Sequence, residues 1–200
     1  MHWQWQYATH TTEKSGKVRE VKMTKNVLII SSSPRKNGNS DLLCNEFMKG
    51  AVEAGHNVEK IRLSEYKINF CQACYVCKTK GCCFQKDDMN IILEKIENAD
   101  VIVLATPVYF YCMSGQLKTM IDRTVGKYPL KNKSFYYIIT SADSEKENVE
   151  KVIEALRGFA VDCTENSKEC GIIYGVGVTA KGEIKNTSAF KEAYEMGKNI

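Results

Sequence analysis

Cys71, Cys74, Cys77 and Cys83 crowd one short stretch of the chain, the first three separated by two residues each and the fourth following after five more. Thiolates at such spacing can converge on one centre, and four of them make the ligand set of a [4Fe-4S] cluster. Zinc would also accept four thiolates, although its sites usually pair two knuckles across a longer loop. Ordinary buried or redox-active thiols need no metal at all. Cys82 adjoins Cys83 and could replace it as a ligand, whereas Cys44, Cys112, Cys163 and Cys170 lie outside the spacing.

A second chemistry-bearing stretch is SSSPRKNGNS, residues 31–40, which follows the apolar run Val27–Ile30. Its serines and asparagines offer hydrogen-bond donors, Arg35 and Lys36 offer charge, and Gly38 permits close backbone turning. Leu43, Phe47 and Ala51 then recur at helical spacing, so the loop opens onto a helix capped by Asn39 or Ser40. Free amides and the positive end of a helix dipole suit a phosphate monoester. A plain polar strand-to-helix turn would need only two or three such residues. A third stretch, TPVYFYCMSGQ at 106–116, sets Tyr109, Phe110 and Tyr111 where a solvent-facing loop would ordinarily be polar. They could alternatively cover a sheet edge.

The elements that would position these loops alternate along the chain. Strands are expected at Val27–Ile30, Val58–Leu63, Val101–Ala105, Phe135–Thr140 and Ile172–Val178. Helices are expected after Ser40, from Asp87 and Asp88, from Ser114, from a Ser144/Glu147 capping box, and from about Ser188. Gly55 marks the end of the first helix. Strands alternating with helices predict an α/β, doubly wound, five-stranded parallel sheet with helices on both faces. In the order 2-1-3-4-5, the turns after strands 1 and 3 are neighbours at the switch point where open α/β sheets bind ligands. A phosphate loop beside an aromatic loop suits FMN, a phosphate tail with a flat ring.

From Ser33 to Ser40 the chain resembles the phosphate loop of the flavodoxin-like NADPH-dependent FMN reductases, commonly written GSPRKNGNS or GSPRKNGNT, and departs at Ser32, where that family usually has glycine. Pro107-Val108-Tyr109 and the following SGQLKTMIDR resemble its flavin loop, and with the C-terminal strand and helix the resemblance covers most of residues 25–198. By position it implies that Ser33, Arg35, Asn37, Asn39 and Ser40 hold the phosphate. Pro107, Val108, Tyr109, Phe110 and Ser114 would border the isoalloxazine, and a third loop, Ser141 to Asp143, would close the site. The activity implied is hydride transfer from NAD(P)H, a transient co-substrate, to FMN and on to a small acceptor such as a quinone, nitro compound, flavin or metal. The cysteine spacing resembles that of the iron-sulfur flavoproteins, a branch of the same family. It implies the alternative of an electron carrier serving a redox protein. A homodimer or homotetramer is implied as well.

Composition narrows the field. With 44% hydrophobic residues in 200, one domain with a full core is expected. Residues 1–25 carry a net +3 of the overall +4, leaving a nearly neutral body that lacks the basic face nucleic acid requires. Residues 1–24 read as an extension preceding a domain at 25–200, with no apolar stretch resembling a signal or a membrane span, so a cytoplasmic protein is expected. Nine cysteines, odd in number and crowded, argue against a disulfide framework. His56 reads as a surface residue, and the flavin carries the chemistry, so no catalytic side chain is assigned. Gly175, Gly177 and Gly182 lack dinucleotide-fingerprint spacing and read as close packing at a strand end.

Overall fold

A computed structural model describes residues 23–200 of the chain, so all but the last two residues of the expected extension lie outside the described part. In chain order the elements are β1 (Asn26–Ser31), α1 (Asn39–Glu53), β2 (Asn57–Arg62), α2 (Val76–Lys80), α3 (Met89–Asn98), β3 (Val101–Tyr109), β4 (Cys112–Met113) and α4 (Gly115–Asp122). There follow β5 (Leu130–Lys131), β6 (Ser134–Thr140), α5 (Lys146–Arg157), β7 (Thr164–Glu165), β8 (Lys168–Gly175) and α6 (Ser188–Lys198). The five long strands pair in parallel in the order β2-β1-β3-β6-β8, the 2-1-3-4-5 arrangement expected of the sequence. The short β4 adds antiparallel to the end of β3, and β5 pairs β7 in a separate ribbon.

Alternation along the strands divides the core in two. Leu28, Ile30, Ile102, Leu104, Phe135 and Tyr137 face α3, α4 and α5. Val27, Ile29, Val101, Val103, Tyr136 and Ile138 face α1 and α6. On that second face the two helices touch backbone to backbone: a Cβ on Gly50 would come within 2.1 Å of the Tyr194 carbonyl oxygen, and one on Gly197 within 2.1 Å of that of Phe47. Among the described residues, no helix is long and apolar enough to cross a membrane.

Four local expectations are corrected. His56 is buried rather than superficial, its Nδ1 accepting from the Lys25 amide at 3.2 Å and its Nε2 lying 3.3 Å from the Ile200 carbonyl oxygen, so it ties the first described residues to the chain's end. The Ser144/Glu147 capping box does not form; the Asp143 carboxylate takes the Glu145 amide instead, and α5 begins at Lys146. The helix expected to be capped by Asn39 or Ser40 has Gly38 at its N-cap without a side-chain cap. The last strand starts at Lys168 and stops at Gly175, because this edge strand is only half buried and its apolar pattern is diluted, which leaves Val178 in a loop.

Candidate functional site

The C-terminal ends of β1, β3, β6 and β8 open into one cleft of about 210 Å³. Its wall is formed by Ser33, Arg35, Gly38, Asn39 and Ser40 from the first loop, Pro107, Val108 and Tyr109 from the second, Thr140, Ser141 and Ala142 from the third, and Val178 and Thr179 from the fourth.

The first loop is held from beneath by Asp41. This buried carboxylate accepts from Ser31 Oγ (3.2 Å), the Asn37 amide (2.8 Å) and Lys60 Nζ (3.0 Å), with Arg62 Nε 3.7 Å away. Burial by itself would raise the Asp41 pKa, but the Lys60 and Asn37 hydrogen bonds and the two cationic charges outweigh it and hold the group below the usual carboxylate range. Ser33 Oγ accepts from the Arg35 amide, and the Gly38 amide closes a turn onto the Arg35 carbonyl. Gly38 is needed for space: a Cβ there would lie 3.0 Å from that carbonyl and 3.2 Å from Ser33 Oγ. Ser40 lines the cleft, and its Oγ is buried with no partner among the described residues. Burial pushes the nearby Cys44 thiol up to about 12, so it remains a protonated core group.

The first two loops are latched. Ser32 Oγ donates to the Ala105 carbonyl at 2.8 Å and receives a bond from Ser114 Oγ at 2.8 Å, while Ser114 Oγ also caps α4 by accepting from the Leu117 amide. The Ser32 hydroxyl is thus directed into the protein. Ser114 is buried in this latch and stands outside the cleft wall, as do Asn37, Phe110 and Asp143. Asn37 shapes the loop with a φ of 55°. Asp143 organises the third loop, taking Asn148 Nδ2 and the Glu145 amide on its carboxylate and the Gly177 amide on its carbonyl. Phe110 is fully exposed at the β3–β4 hairpin tip.

Asn39 lines the cleft but spends its amide elsewhere: Nδ2 donates to the Ala180 carbonyl (3.0 Å) and Oδ1 accepts from the Gly182 amide (3.0 Å). It is a strut that fixes the fourth loop, which sequence reasoning left out. Thr140, Val178 and Thr179 were missed likewise. The available signal was the pair Gly177 and Gly182, both with positive φ, which bracket the loop.

A second, larger cavity of about 470 Å³ is walled by Cys71, Cys74, Cys77, Cys82 and Cys83 together with residues of α3 and the end of α4. The cysteine loop is drawn shut at its neck: Asp87 accepts the Asn69 amide, Asp88 accepts that of Lys67, and Gln85 Nε2 donates to the Phe70 carbonyl. Positive φ at Ala73 and Tyr75 bends the segment between the first three cysteines. Gly126 leaves room beside Cys77, whose Cβ would be 3.0 Å from a Cβ there. The sulfurs are spread around the wall, and no three His, Cys, Asp or Glu side chains among the described residues are grouped to hold a metal ion.

The family model for NADPH-dependent FMN reductases matches residues 25–161. The iron-sulfur flavoprotein MJ1083 of Methanocaldococcus jannaschii is 33% identical over 184 residues, covering 87% of this chain and 94% of that protein. Two iron-sulfur flavoproteins of Archaeoglobus fulgidus are 42% and 40% identical over 47% and 58% of this chain; these matches span 43% and 58% of their lengths, about half of each. An NAD(P)H:quinone oxidoreductase from Methanothermobacter marburgensis superposes with a TM-score of 0.73 over 88% of this chain and 96% of its own at 17% identity, a likeness of fold.

Proposed function

The chain belongs to the NADPH-dependent FMN reductase family, and from that premise we propose that it is an FMN-dependent oxidoreductase that draws on NAD(P)H and delivers electrons to a small acceptor such as a quinone. The observation that carries this reading is Ser40, a residue of the cleft wall in the first turn of α1 whose buried hydroxyl has no partner among the described residues. An unpaired buried polar group is costly, and a phosphate oxygen would satisfy it. The first-turn amides of α1 and the Arg35 guanidinium add the electrostatic attraction a phosphate needs. Pro107, Val108, Tyr109, Ser141 and Ala142 line the same cleft and would border the flat ring.

When bound, FMN supplies the redox chemistry, accepting hydride from NADH or NADPH and releasing electrons to the acceptor. The protein's share is to bind, orient and enclose. Among the described residues, the cleft wall holds no histidine, carboxylate or thiol, so no side chain there is given a general acid or base role. Exposed aromatics at the hairpin tip support assembly as a homodimer or homotetramer.

A second reading, an electron carrier pairing FMN with a [4Fe-4S] cluster, is favoured by the five cysteines around one cavity, a wall of soft ligands broader than a single ion requires. The test is steady-state oxidation of NADH and NADPH by the FMN-loaded protein with a soluble quinone. Rapid turnover is expected. Tight FMN binding without turnover, in protein that takes up iron and sulfide, would favour the carrier; failure to bind FMN at all would reject both readings.

A further inference from the structure

The carboxylate that braces the first loop carries a charge of the wrong sign for its place. Asp41 follows Ser40 in the first turn of α1, where free amides attract an anion, and its side chain is only 2% exposed. A negative charge buried there repels a phosphate, yet it is what ties down the Asn37 amide at 2.8 Å and Ser31 Oγ at 3.2 Å. The counter-charge comes from β2, where Lys60 and Arg62, two residues apart, share the strand face that meets Asp41. Lys60 Nζ donates to Asp41 Oδ1 at 3.0 Å and to Asn45 Oδ1 at 2.5 Å, and it pairs with no other carboxylate among the described residues. Arg62 is less committed. Its Nη1 bonds the exposed Glu65 carboxylate at 2.8 Å, and its Nε, buried without a hydrogen-bond partner, lies 3.7 Å from Asp41. The Cys44 thiol, further along α1, stays protonated and adds no charge.

We propose that Lys60 is a positioning residue for the FMN phosphate: by neutralising Asp41, it lets a carboxylate hold the loop in shape without repelling the dianion that the same loop receives. This rests on the FMN reading above. The arrangement separates two quantities that a plain tether would join. Stability of the loop depends on the pair being intact, so losing either partner leaves a buried charge uncompensated and lowers it. Affinity for a phosphate depends on the net charge of the pair, so losing Lys60 and losing Asp41 shift it in opposite directions.

The test compares FMN with riboflavin, the same ring without the phosphate, on the flavin-free full chain as wild type, Lys60→Gln, Asp41→Asn and the double variant. Both dissociation constants are read from flavin fluorescence at about pH 7.5, where a phosphate monoester is doubly ionised, together with the melting temperature. Wild type should prefer FMN. Lys60→Gln can still donate a hydrogen bond to Asp41 but brings no charge, so the ratio of FMN to riboflavin affinity should fall about tenfold. Asp41→Asn should raise that ratio, and the double variant should return it close to wild type. Both single variants should melt below wild type. A tether with no electrostatic role predicts ratios that stay fixed or fall together with the melting temperature. An unchanged ratio in Lys60→Gln, or an unchanged or lowered one in Asp41→Asn, would overturn this proposal alone. Should Lys60→Gln not fold, the direction of the Asp41→Asn shift still decides. Wild-type protein that binds FMN and riboflavin equally would remove the phosphate-loop assignment and this proposal with it, and wild type that binds neither would sink the FMN reading itself.

Discussion

Ser40 and Asn39 are neighbours with opposite relations to the cleft. Ser40 offers a hydroxyl that none of the described residues uses, so Ser40→Ala should leave the melting temperature of the flavin-free protein unchanged or slightly higher. FMN affinity should fall about tenfold or more, given ~1.5 to 3 kcal/mol for a hydrogen bond to a charged group. Asn39 spans to the fourth loop, so Asn39→Ala should lower the flavin-free stability by about 1 kcal/mol or more. Calorimetry and FMN titration of both variants separate these outcomes, and equal stability loss in the two would remove the special standing of Ser40. Residue types in this loop suggest phosphate binding, but which of them lines the cleft unengaged and which braces the loop depends on partners more than a hundred residues away. Asp41 shows the same limit: in sequence it is merely an acidic residue in a first helical turn, while in the fold it gathers Ser31, Asn37 and Lys60. Because its folded pKa is depressed below the ordinary 3.8, its contribution is complete above that value and is lost as pH falls through the folded one. Asp41→Asn should therefore cost roughly 1 to 3 kcal/mol near neutrality and lose less stability than wild type on acidification below pH 4, as urea midpoints across pH would reveal.

At the scale of elements, uninterrupted apolar runs marked β1 and β3 and helical periodicity marked α1, α3 and α4, because burial on one or two faces writes itself into short-range pattern. What pattern cannot write is close approach between elements. Gly50 and Gly197 lie on helices far apart in sequence, and their role emerges only where α1 crosses α6. Gly197→Ala should destabilise the fold by about 1 to 3 kcal/mol or more, since backbone rather than a yielding side chain blocks the new methyl. Gly115→Ala, where a Cβ meets nothing within 4 Å, should be neutral or stabilising by about 0.4 to 1 kcal/mol. Equal denaturation midpoints for the two variants would contradict the packing argument. The β3–β4 hairpin was illegible for a different reason. Tyr109 pairs Cys112, and the two residues between, Phe110 and Tyr111, have φ of 49° and 60°. Such a turn normally calls for asparagine and glycine, so two aromatics there give no turn signal; the chain carries strain that only tertiary context or a partner rationalises.

For the molecule as a whole, that strained hairpin bears on assembly. Phe110 is 100% exposed in the single chain, close to the cleft wall formed by Tyr109, and it occupies a conformation that costs a non-glycine residue about 1 to 2 kcal/mol. Stability of the monomer gives no reason to keep a phenylalanine there; burial against a second copy, in the assembly proposed above, would supply one, at about 1.5 to 3 kcal/mol for a fully covered side chain. In a two-fold interface each copy contributes one such residue. Phe110→Asn should consequently act in opposite directions on two measurements. Asparagine tolerates positive φ, so the unfolding free energy of the isolated chain, measured at concentrations below assembly, should rise by several tenths of a kcal/mol to about 1. The dissociation constant of the oligomer should rise by at least about tenfold, since 1.4 kcal/mol is a factor of ten. Sedimentation equilibrium gives the second quantity directly. An unchanged association constant alongside increased chain stability would mean that Phe110 is held outward for some other partner, and that the contact between copies lies on another face.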